Sequence, residues 1–292
     1  ILNPNSSKKL INEWLNFNSS IHGDNSNKKL NIIYNNNSYY NSNVPNVENR
    51  NGIYLPKGYG SISSTLILFN TKSLFISTEP EISFIKEYPI ELPIKEKEFS
   101  NLNDVPLLKK YTNSVTNLRN TGIKYISNKL SIGYGNWDQW WGPGVHNSLV
   151  LSNNARSFNY YLFRTNGYNR LTKNLLYEFK YIVSENMRNI YETNFYLTAY
   201  FFRLKYKNIE VGKSKNIISG GHEEISWTFN DAYKILFTNE KIEYWNKLVS
   251  YYLKLTFLDS KLIMFFEFGF PDKEFKNRTL FETYPDHSIA TN

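Results

Sequence analysis

Apolar and polar residues alternate along several long stretches of this chain. Between 175 and 183, Leu, Tyr, Phe, Tyr and Val occupy every second position, and Leu, Glu, Lys and Ile fill the positions between them. A period of two residues is typical of β-strands. The alternating runs are roughly nine to twelve residues long, above the ~5–6 of most globular strands and close to the ~9–11 of a tilted membrane strand. The pattern therefore predicts strands of membrane-spanning length.

The clearest hairpin is predicted near the C-terminal end, around a two-residue turn at Asp259–Ser260. Its register sorts apolar residues onto one face, with Phe257, Leu255, Leu253 and Tyr251 opposite Leu262, Met264, Phe266 and Phe268. The other face has Leu258, Thr256, Lys254 and Tyr252 opposite Lys261, Ile263, Phe265 and Glu267. A slip of one residue would mix the two faces, so the sorting itself supports this register.

Two further hairpins are predicted from apolar runs. One joins 65–69 to 74–77 through a turn at Asn70–Lys72. The other has a two-residue turn at Ser127–Asn128 and puts apolar residues opposite each other, in the pairs Tyr125–Leu130 and Ile123–Ile132. Both hairpins place their apolar residues on one face of the sheet.

Three segments depart from the strand pattern. Residues 80–115 contain several prolines and mixed charges, and we expect a long excursion between strands. Apolar residues at helical spacing in 231–248 predict a helical loop. Residues 1–58 form a polar N-terminal segment with a short helix around Lys8–Leu15 and weak strands, and 59–292 holds the principal strands.

The expected fold is all-β, a large antiparallel transmembrane β-barrel with a short N-terminal helical or irregular segment. No apolar run reaches the ~18 residues of a transmembrane helix, which leaves a barrel open. The ~10–12 strands that 123–292 can hold are fewer than the ~16–18 of a large barrel. The chain starts at Ile1 without a signal peptide and ends at Asn292 without an aromatic strand. We therefore expect a fragment that forms an incomplete barrel.

Composition narrows the choice of partners. Aromatic residues make up 17% of the chain, which fits aromatic girdles and equally fits an AT-rich genome. Cysteine is absent, which excludes disulfides and thiol chemistry. A net charge of +8 favours anionic partners such as acidic polysaccharide or lipopolysaccharide phosphate. The lysines are scattered and accompany no nucleic-acid-binding motif, so nucleic acid is not expected as a partner.

The most distinctive stretch runs from Gly135 to Arg156. Trp137, Trp140 and Trp141 fall close together and are followed at once by Gly142–Pro143–Gly144, a combination that forces a sharp reversal. Ser148–Ser152 is a short apolar run and predicts a brief strand. The stretch is therefore expected to be a strand end that leads into a shaped loop.

The sequence WWGPG followed by NSLVLSNNAR, from Trp140 to Arg156, resembles the signature of the Wzi-type capsule assembly proteins. Weaker similarities lie upstream at Lys57–Gly60 and downstream at Glu267–Gly269, which is followed by Asp272. The family often has proline after Asn-Ala-Arg, whereas this chain has Ser157–Phe158. The course of the loop can therefore differ there.

The resemblance implies an outer-membrane β-barrel of a Gram-negative bacterium that holds capsular polysaccharide at the cell surface. It places the protein in the cell outer membrane, as a monomeric barrel with lectin-like carbohydrate binding. Its partners would be capsular polysaccharide, outer-membrane lipid and lipopolysaccharide. The resemblance implies no enzymatic activity, and neither a cofactor nor a metal is expected.

Sugar rings combine an apolar C–H face with hydroxyl edges, so their sites pair aromatic plates with amides, carboxylates and arginine. The residues with this chemistry are Trp137, Asp138, Trp140, Trp141, Asn147, Asn153, Asn154 and Arg156. An equally simple interpretation is that the tryptophans anchor or pack beneath the loop while the polar residues cap turns.

The alternative function is that of a secreted or periplasmic all-β carbohydrate-active protein, such as a glycoside hydrolase. Hydrolysis needs two carboxylates about 5–10 Å apart, for which Glu178, Glu267 and Asp138 are available without special merit. Gly220–Glu224 contains a histidine but no second histidine at ligand spacing, so it is interpreted as a glycine-hinged loop. No phosphate-binding, dinucleotide-binding or nucleophile-elbow motif occurs.

Overall fold

The computed structural model describes nine parts of the chain: 29–42, 58–87, 114–144, 148–153, 157–188, 194–220, 246–257, 262–270 and 288–291. The strands in these parts are β1 Lys29–Asn41, β2 Gly58–Asn70, β3 Leu74–Glu87, β4 Ser114–Ile126, β5 Leu130–Gly135, β6 Tyr160–Thr165, β7 Asn169–Arg170, β8 Leu175–Ser184, β9 Met187–Arg188, β10 Asn194–Tyr206, β11 Ile209–Gly220, β12 Asn246–Phe257, β13 Leu262–Phe270 and β14 Ser288–Thr291. No helix in the described residues is long and apolar enough to cross a membrane.

All these strands belong to one antiparallel sheet. Each long strand pairs with the next in chain order, from β1 through to β14, while the two-residue strands β7 and β9 attach to β8 and β10. Among the described residues, β1 and β14 are the two ends of the sheet and do not pair with each other. The expected all-β, antiparallel fold is confirmed.

The sheet exposes an apolar face and buries a polar one. On β13 the side chains of Met264 and Phe266 are exposed, while Glu267 is fully buried. The same contrast recurs elsewhere, with Ile82, Leu118, Ile132, Tyr161 and Phe202 exposed and Glu81, Lys124, Glu178, Ser214 and Ser250 buried. We call these the outer face and the inner face. A soluble sandwich has the opposite arrangement, whereas strands with lipid on one side produce this one.

Connections alternate in length between the two ends of the sheet. Between the long strands, leaving β7 and β9 aside, the four shortest connections are 71–73, 127–129, 207–208 and 258–261, and they join strand ends on one side of the sheet. The five longest, 42–57, 88–113, 136–159, 221–245 and 271–287, all lie at the other, which we call the long-connection end. Successive connections lie at opposite ends because successive strands run in opposite directions, and the difference in length is a property of this sequence.

The predicted C-terminal hairpin is confirmed for its described residues. Phe257 pairs with Leu262, Tyr252 with Glu267, and every position between them follows the same register. The turn itself and the Leu258–Lys261 pair lie outside the described residues. The alternating run at 175–183 is also confirmed, as β8.

The predicted partners in the hairpin of Ile123 are wrong by two residues. Tyr125 pairs with Ile132, and Ile123 pairs with Tyr134. The turn therefore lies one residue later than predicted, with Ser127 donating its backbone N–H to the carbonyl of Leu130 over 2.8 Å. A shift of two keeps every side chain on its predicted face, and the apolar residues of this hairpin remain on one side.

The hairpin between β2 and β3 is confirmed, with Asn70 opposite Phe75 and the Thr71 backbone bonded to Leu74. The predicted excursion at 80–115 begins too early and ends too late, because β3 continues to Glu87 and β4 starts at Ser114. Pro80 is accommodated because the β2–β3 ladder is interrupted beside it and β3 shifts register against β4 between Ser77 and Glu79.

The two helical predictions fall mostly outside the described residues. The short helix at Lys8–Leu15 lies outside them entirely, as does the part of the 231–248 loop before residue 246. Residues 246–248 begin β12, so the helical prediction is wrong there. The weak strands expected in the N-terminal segment include the apolar run Leu30–Tyr34, which belongs to the longer strand β1.

An arginine in place of Met264 on the outer face should block membrane assembly. A cation in the apolar band costs ~2–4 kcal/mol near the bilayer midplane. Lys254→Ala, on the opposite face of the neighbouring strand, should have a much smaller effect. The yield of heat-modifiable protein in the membrane fraction measures both, and equal losses would show that the two faces have been assigned wrongly.

Candidate functional site

The connection between β5 and β6, residues 136–159, turns back across the inner face, and we call it the Trp loop. Trp137 is buried at its start, where its ring packs edge-on against Tyr160 at 6.1 Å between centroids and near Phe75 at 6.5 Å. Its Nε1 donates to Ser77 Oγ over 2.8 Å. A Cβ at Gly122 would lie 2.5 Å from this indole, so glycine there lets the ring lie against the strand. Trp137 thereby fastens the loop to β3 and β4.

Trp141 fastens the loop to the other side of the inner face. Its side chain has no exposed surface and packs against Phe201 on β10 with 6.0 Å between ring centroids. Its Nε1 donates to Gln139 Oε1 over 2.9 Å. Neither Trp141 nor Trp137 presents an indole face to solvent. The geometry therefore favours packing beneath the loop over a sugar-stacking role for these two residues.

Trp140 differs from its neighbours because it is only half-buried. Its Nε1 donates to the carbonyl of Gly144 over 2.8 Å, which ties the indole to the Gly142–Gly144 corner. A Cβ at Gly142 would lie 3.0 Å from Glu267 Oε2, so the Gly142–Gly144 corner packs closely against β13. Trp140 is therefore the one of the three loop tryptophans with ring surface left for a ligand.

The brief strand predicted at Ser148–Ser152 is wrong. Only Leu151 pairs, in an isolated bridge with Trp141 whose N–H···O distance is 2.9 Å. Ser148 Oγ adds a 2.6 Å bond to the Trp141 carbonyl. The segment folds back on the tryptophans instead of joining the sheet. Asn153 is half-buried, whereas Asn147, Asn154 and Arg156 lie outside the described residues.

A charged cluster lies beside the Trp loop towards the long-connection end, and we call it the rim cluster. Arg119 on β4 contacts Asp138 of the loop at 2.9 Å and Glu81 on β3 at 3.3 Å. Asn120 donates to Glu79 over 2.7 Å and accepts the Asp138 backbone N–H over 3.1 Å. Burial raises the pKa of the Asp138 carboxyl, and the Arg119 guanidinium opposes that rise. Asp138 therefore holds the Trp loop against β4 of the sheet.

A second cluster occupies the inner face nearer the short connections, and we call it the inner cluster. Glu178 on β8 is its centre, with Arg203 at 2.5 Å, Lys180 at 3.4 Å and Arg164 at 3.9 Å. Arg203 also contacts Glu210 at 3.2 Å. The carboxylates of Glu178 and Glu210 are buried, the three cations are partly exposed, and each charge lies beside an opposite one, as low-dielectric surroundings require.

Two tyrosines complete the inner cluster. Tyr168, from the connection after β6, donates to Glu210 over 2.5 Å, and the Arg203 guanidinium lies over its ring at 4.4 Å. Burial raises the pKa of the Tyr168 hydroxyl, which therefore keeps its proton and remains a donor. Tyr252 on β12 donates to the other Glu210 oxygen over 2.7 Å. The cluster thus ties β6, β8, β10, β11 and β12 together.

The sequence alone pointed to Asp138 and Glu178 as candidate residues but to neither of the two clusters around them. The spacing of Glu178 and Lys180 was a usable signal, because residues two apart on a strand share a face. No sequence signal joined Arg119 to Asp138, which meet only when the loop folds back.

The carboxylates named for hydrolysis have separate structural roles. Asp138 pairs with Arg119, Glu178 with three cations, and Glu267 accepts from Ser250 over 2.9 Å. Within the described residues there is no group of acidic, histidine or cysteine side chains that could hold a metal ion. His222 and the rest of the Gly220–Glu224 motif beyond Gly220 lie outside that part of the chain.

Comparison with known families agrees with this architecture. Residues 19–273 match the family described as Capsule assembly protein Wzi. The chain belongs to the Wzi family. The matched range includes the Trp loop, both clusters and every strand from β1 to β13. No curated protein and no solved structure matches the chain.

The Wzi family is a family of outer-membrane β-barrels, and the sheet shares the antiparallel order and the apolar outer face expected of one. Within this Wzi-family chain, the Trp loop lies on the polar inner face and contacts strands from β3 to β13. The sheet must curve around the loop for residues on strands so far apart to contact it.

Proposed function

We propose that this protein binds capsular polysaccharide and helps to assemble or anchor the capsule at the cell surface, without catalysing a reaction. The observation that carries the proposal is the Wzi-family match over 19–273, which includes the Trp loop. The partners are capsular polysaccharide on one side and outer-membrane lipid with lipopolysaccharide on the other. The protein acts as a monomer and takes no cofactor.

The apolar outer face supports a location in the outer membrane. Exposed Ile, Leu, Phe and Tyr side chains on neighbouring strands would be unfavourable in water and are suited to lipid. A secreted or periplasmic hydrolase would bury these side chains in a core, so the exposure argues against that alternative. Slower or faster gel migration before boiling, in detergent, would identify a membrane-embedded sheet.

Connection lengths supply an orientation. Outer-membrane proteins have short turns on the periplasmic side and longer loops outside. The long-connection end, with the Trp loop and the rim cluster, therefore faces the cell exterior, where capsule is held. The inner cluster lies nearer the periplasmic side.

The sugar-contacting residues follow from exposure. Trp140 supplies an aromatic plate, and Asn153 supplies a polar contact from the same loop. Asn147, Asn154 and Arg156 are proposed as further polar contacts on their chemistry alone. Trp137 and Trp141 hold the loop from beneath, and Asp138 fixes it to Arg119. All eight candidate residues thus contribute to the proposed site. Trp137, Asp138 and Trp141 contribute indirectly, by holding the loop in position.

Trp140→Ala should weaken capsule retention several-fold without unfolding the wall. Stacking on one ring contributes on the order of 1 kcal/mol. Arg156→Ala should weaken it further if the capsule is acidic, because a charged hydrogen bond contributes ~1.5–3 kcal/mol. Cell-bound capsule, measured after washing, reports both effects.

Tyr206→Ala is the matched control, since Tyr206 is an exposed aromatic residue at the opposite end of the sheet. It should retain capsule like the parent, and all three variants should keep the parent's heat-modifiable migration. Normal retention by folded Trp140→Ala and Arg156→Ala variants would show that the Trp loop is not where polysaccharide binds.

A further inference from the structure

The sheet has a gap in its strand pairing at the long-connection end, beside the start of the Trp loop. β4 runs from Ser114, but β5 pairs only with its last part, from Gly122 to Ile126. In the described part of the chain, no strand pairs with 116–120 of β4 on that side. Instead, Asn136 Nδ2 donates to the Leu118 carbonyl over 2.9 Å, and its Oδ1 accepts the Thr121 N–H over 2.7 Å. The side chain of Asn136 thus makes two hydrogen bonds to the β4 backbone that a neighbouring strand would otherwise make.

A cavity of about 100 Å³ opens in this gap. Its lining comes from β4 and the Trp loop, namely Asn117, Leu118, Arg119, Asn136, Asp138 and Ser157. Five of these six residues are polar. A water molecule takes up ~30 Å³ of liquid, so the space suits the hydroxyl edge of one sugar ring and not a whole disaccharide.

The charge around the cavity selects among sugars. Among the residues that the structure describes, the rim cluster has three carboxylates, on Glu79, Glu81 and Asp138, against one guanidinium, that of Arg119. Arg119 is engaged by two of those carboxylates, so it has little attraction left for an anionic ligand. A uronate or phosphate would meet net negative charge in partly buried surroundings, where repulsion is strong. Uncharged hydroxyls, in contrast, find amide and hydroxyl partners on Asn117 and Ser157.

We propose that this rim cavity binds the hydroxyl edge of an uncharged sugar unit in the capsular polysaccharide and rejects acidic units. The inference rests on the proposed function and adds to it the position and chemical class of one sugar contact. It runs against the chain's net charge of +8, which by itself favours acidic sugars. The local charge determines which sugars this cavity binds, because a contact at hydrogen-bond distance depends on the charges immediately around it.

The test uses the whole protein in detergent and capsular oligosaccharides released from the native cells. Isothermal titration should show binding about threefold to tenfold weaker for Asn117→Ala, the effect of losing one hydrogen bond. Asn117 is half-buried and is not among the residues described above as holding the Trp loop, so the fold should survive. Thr116→Ala, an exposed neighbour of Asn117 on the same strand, is the matched control and should bind like the parent.

A second arm tests the sugar class. The same oligosaccharides, with their carboxyl groups reduced to primary alcohols, should bind the Arg156→Ala variant at least as tightly as the unreduced ones do, because this variant lacks the contact proposed above for an acidic sugar. Binding that becomes more than threefold weaker after reduction would overturn the preference for an uncharged unit. Parental affinity in both folded Asn117→Ala and folded Asp138→Asn would overturn the cavity as a site, even if Trp140→Ala still loses capsule. A parent that binds no capsular oligosaccharide would overturn the proposed function as well.

Discussion

Glu178→Gln should lower the free energy of unfolding by about 3–5 kcal/mol, the loss expected when one partner is removed from a buried ion pair. Arg203, Lys180 and Arg164 all lie within 4 Å of this carboxylate. Its neutral replacement leaves three largely covered cations with Glu210 as the remaining carboxylate of the cluster. The measurement is urea unfolding in detergent, followed by gel migration without boiling.

Glu185→Gln provides the control, since Glu185 follows the same strand and bonds to the partly exposed Tyr134 and to Asn159. It should lose much less stability. A double variant, Glu178→Gln with Arg203→Met, should be more stable than the sum of the two single losses predicts, because it removes opposite charges together. Equal losses for the Glu178 and Glu185 variants would show that the inner cluster is well solvated.

Trp141→Ala should have the second large effect, a loss of about 3–5 kcal/mol typical of a buried tryptophan. The side chain is fully buried, and its removal leaves a cavity against Phe201. The loop should detach while the wall still forms. Limited proteolysis of intact protein should therefore cut the variant between β5 and β6 faster than it cuts the parent.

Trp140→Ala separates stability from binding. It should cost clearly less stability than Trp141→Ala, since Trp140 is half-exposed, yet it should lose capsule directly. Trp141→Phe should restore part of the lost stability by refilling the contact with Phe201. If Trp140 and Trp141 behaved alike in both measurements, the division between a supporting and a binding tryptophan would be wrong.

Strand faces could be predicted from the sequence because burial alternates with a period of two. The register of the hairpin of Leu255 and Met264 was predicted correctly for every described pair, since both of its faces sort cleanly. The hairpin of Tyr125 was misplaced by two residues, because that shift leaves the faces unchanged. What fixes the register there is distant in sequence: Asn166, beyond β6, donates to the Ser127 carbonyl over 2.5 Å.

In the Trp loop, too, contacts with residues distant in sequence could not be predicted. Its aromatic and glycine content identified the stretch, but exposure was decided by partners on other strands. Phe75 and Phe201 cover Trp137 and Trp141, and no local pattern indicates that these phenylalanines face the loop. Arg119, which holds Asp138, was missed for the same reason.

The position of the Trp loop, between strands distant in sequence, affects the order in which the protein folds. Phe75 on β3 and Phe201 on β10 contact the same loop, although more than a hundred residues separate them. Contacts between such distant residues form late in folding, because the entropy of closing long loops must be overcome first. We expect a newly inserted molecule to complete its wall before the loop docks. During that interval Phe75 and Phe201 lack their contacts with the loop tryptophans, so protease should cut the loop faster in fresh molecules than in mature ones.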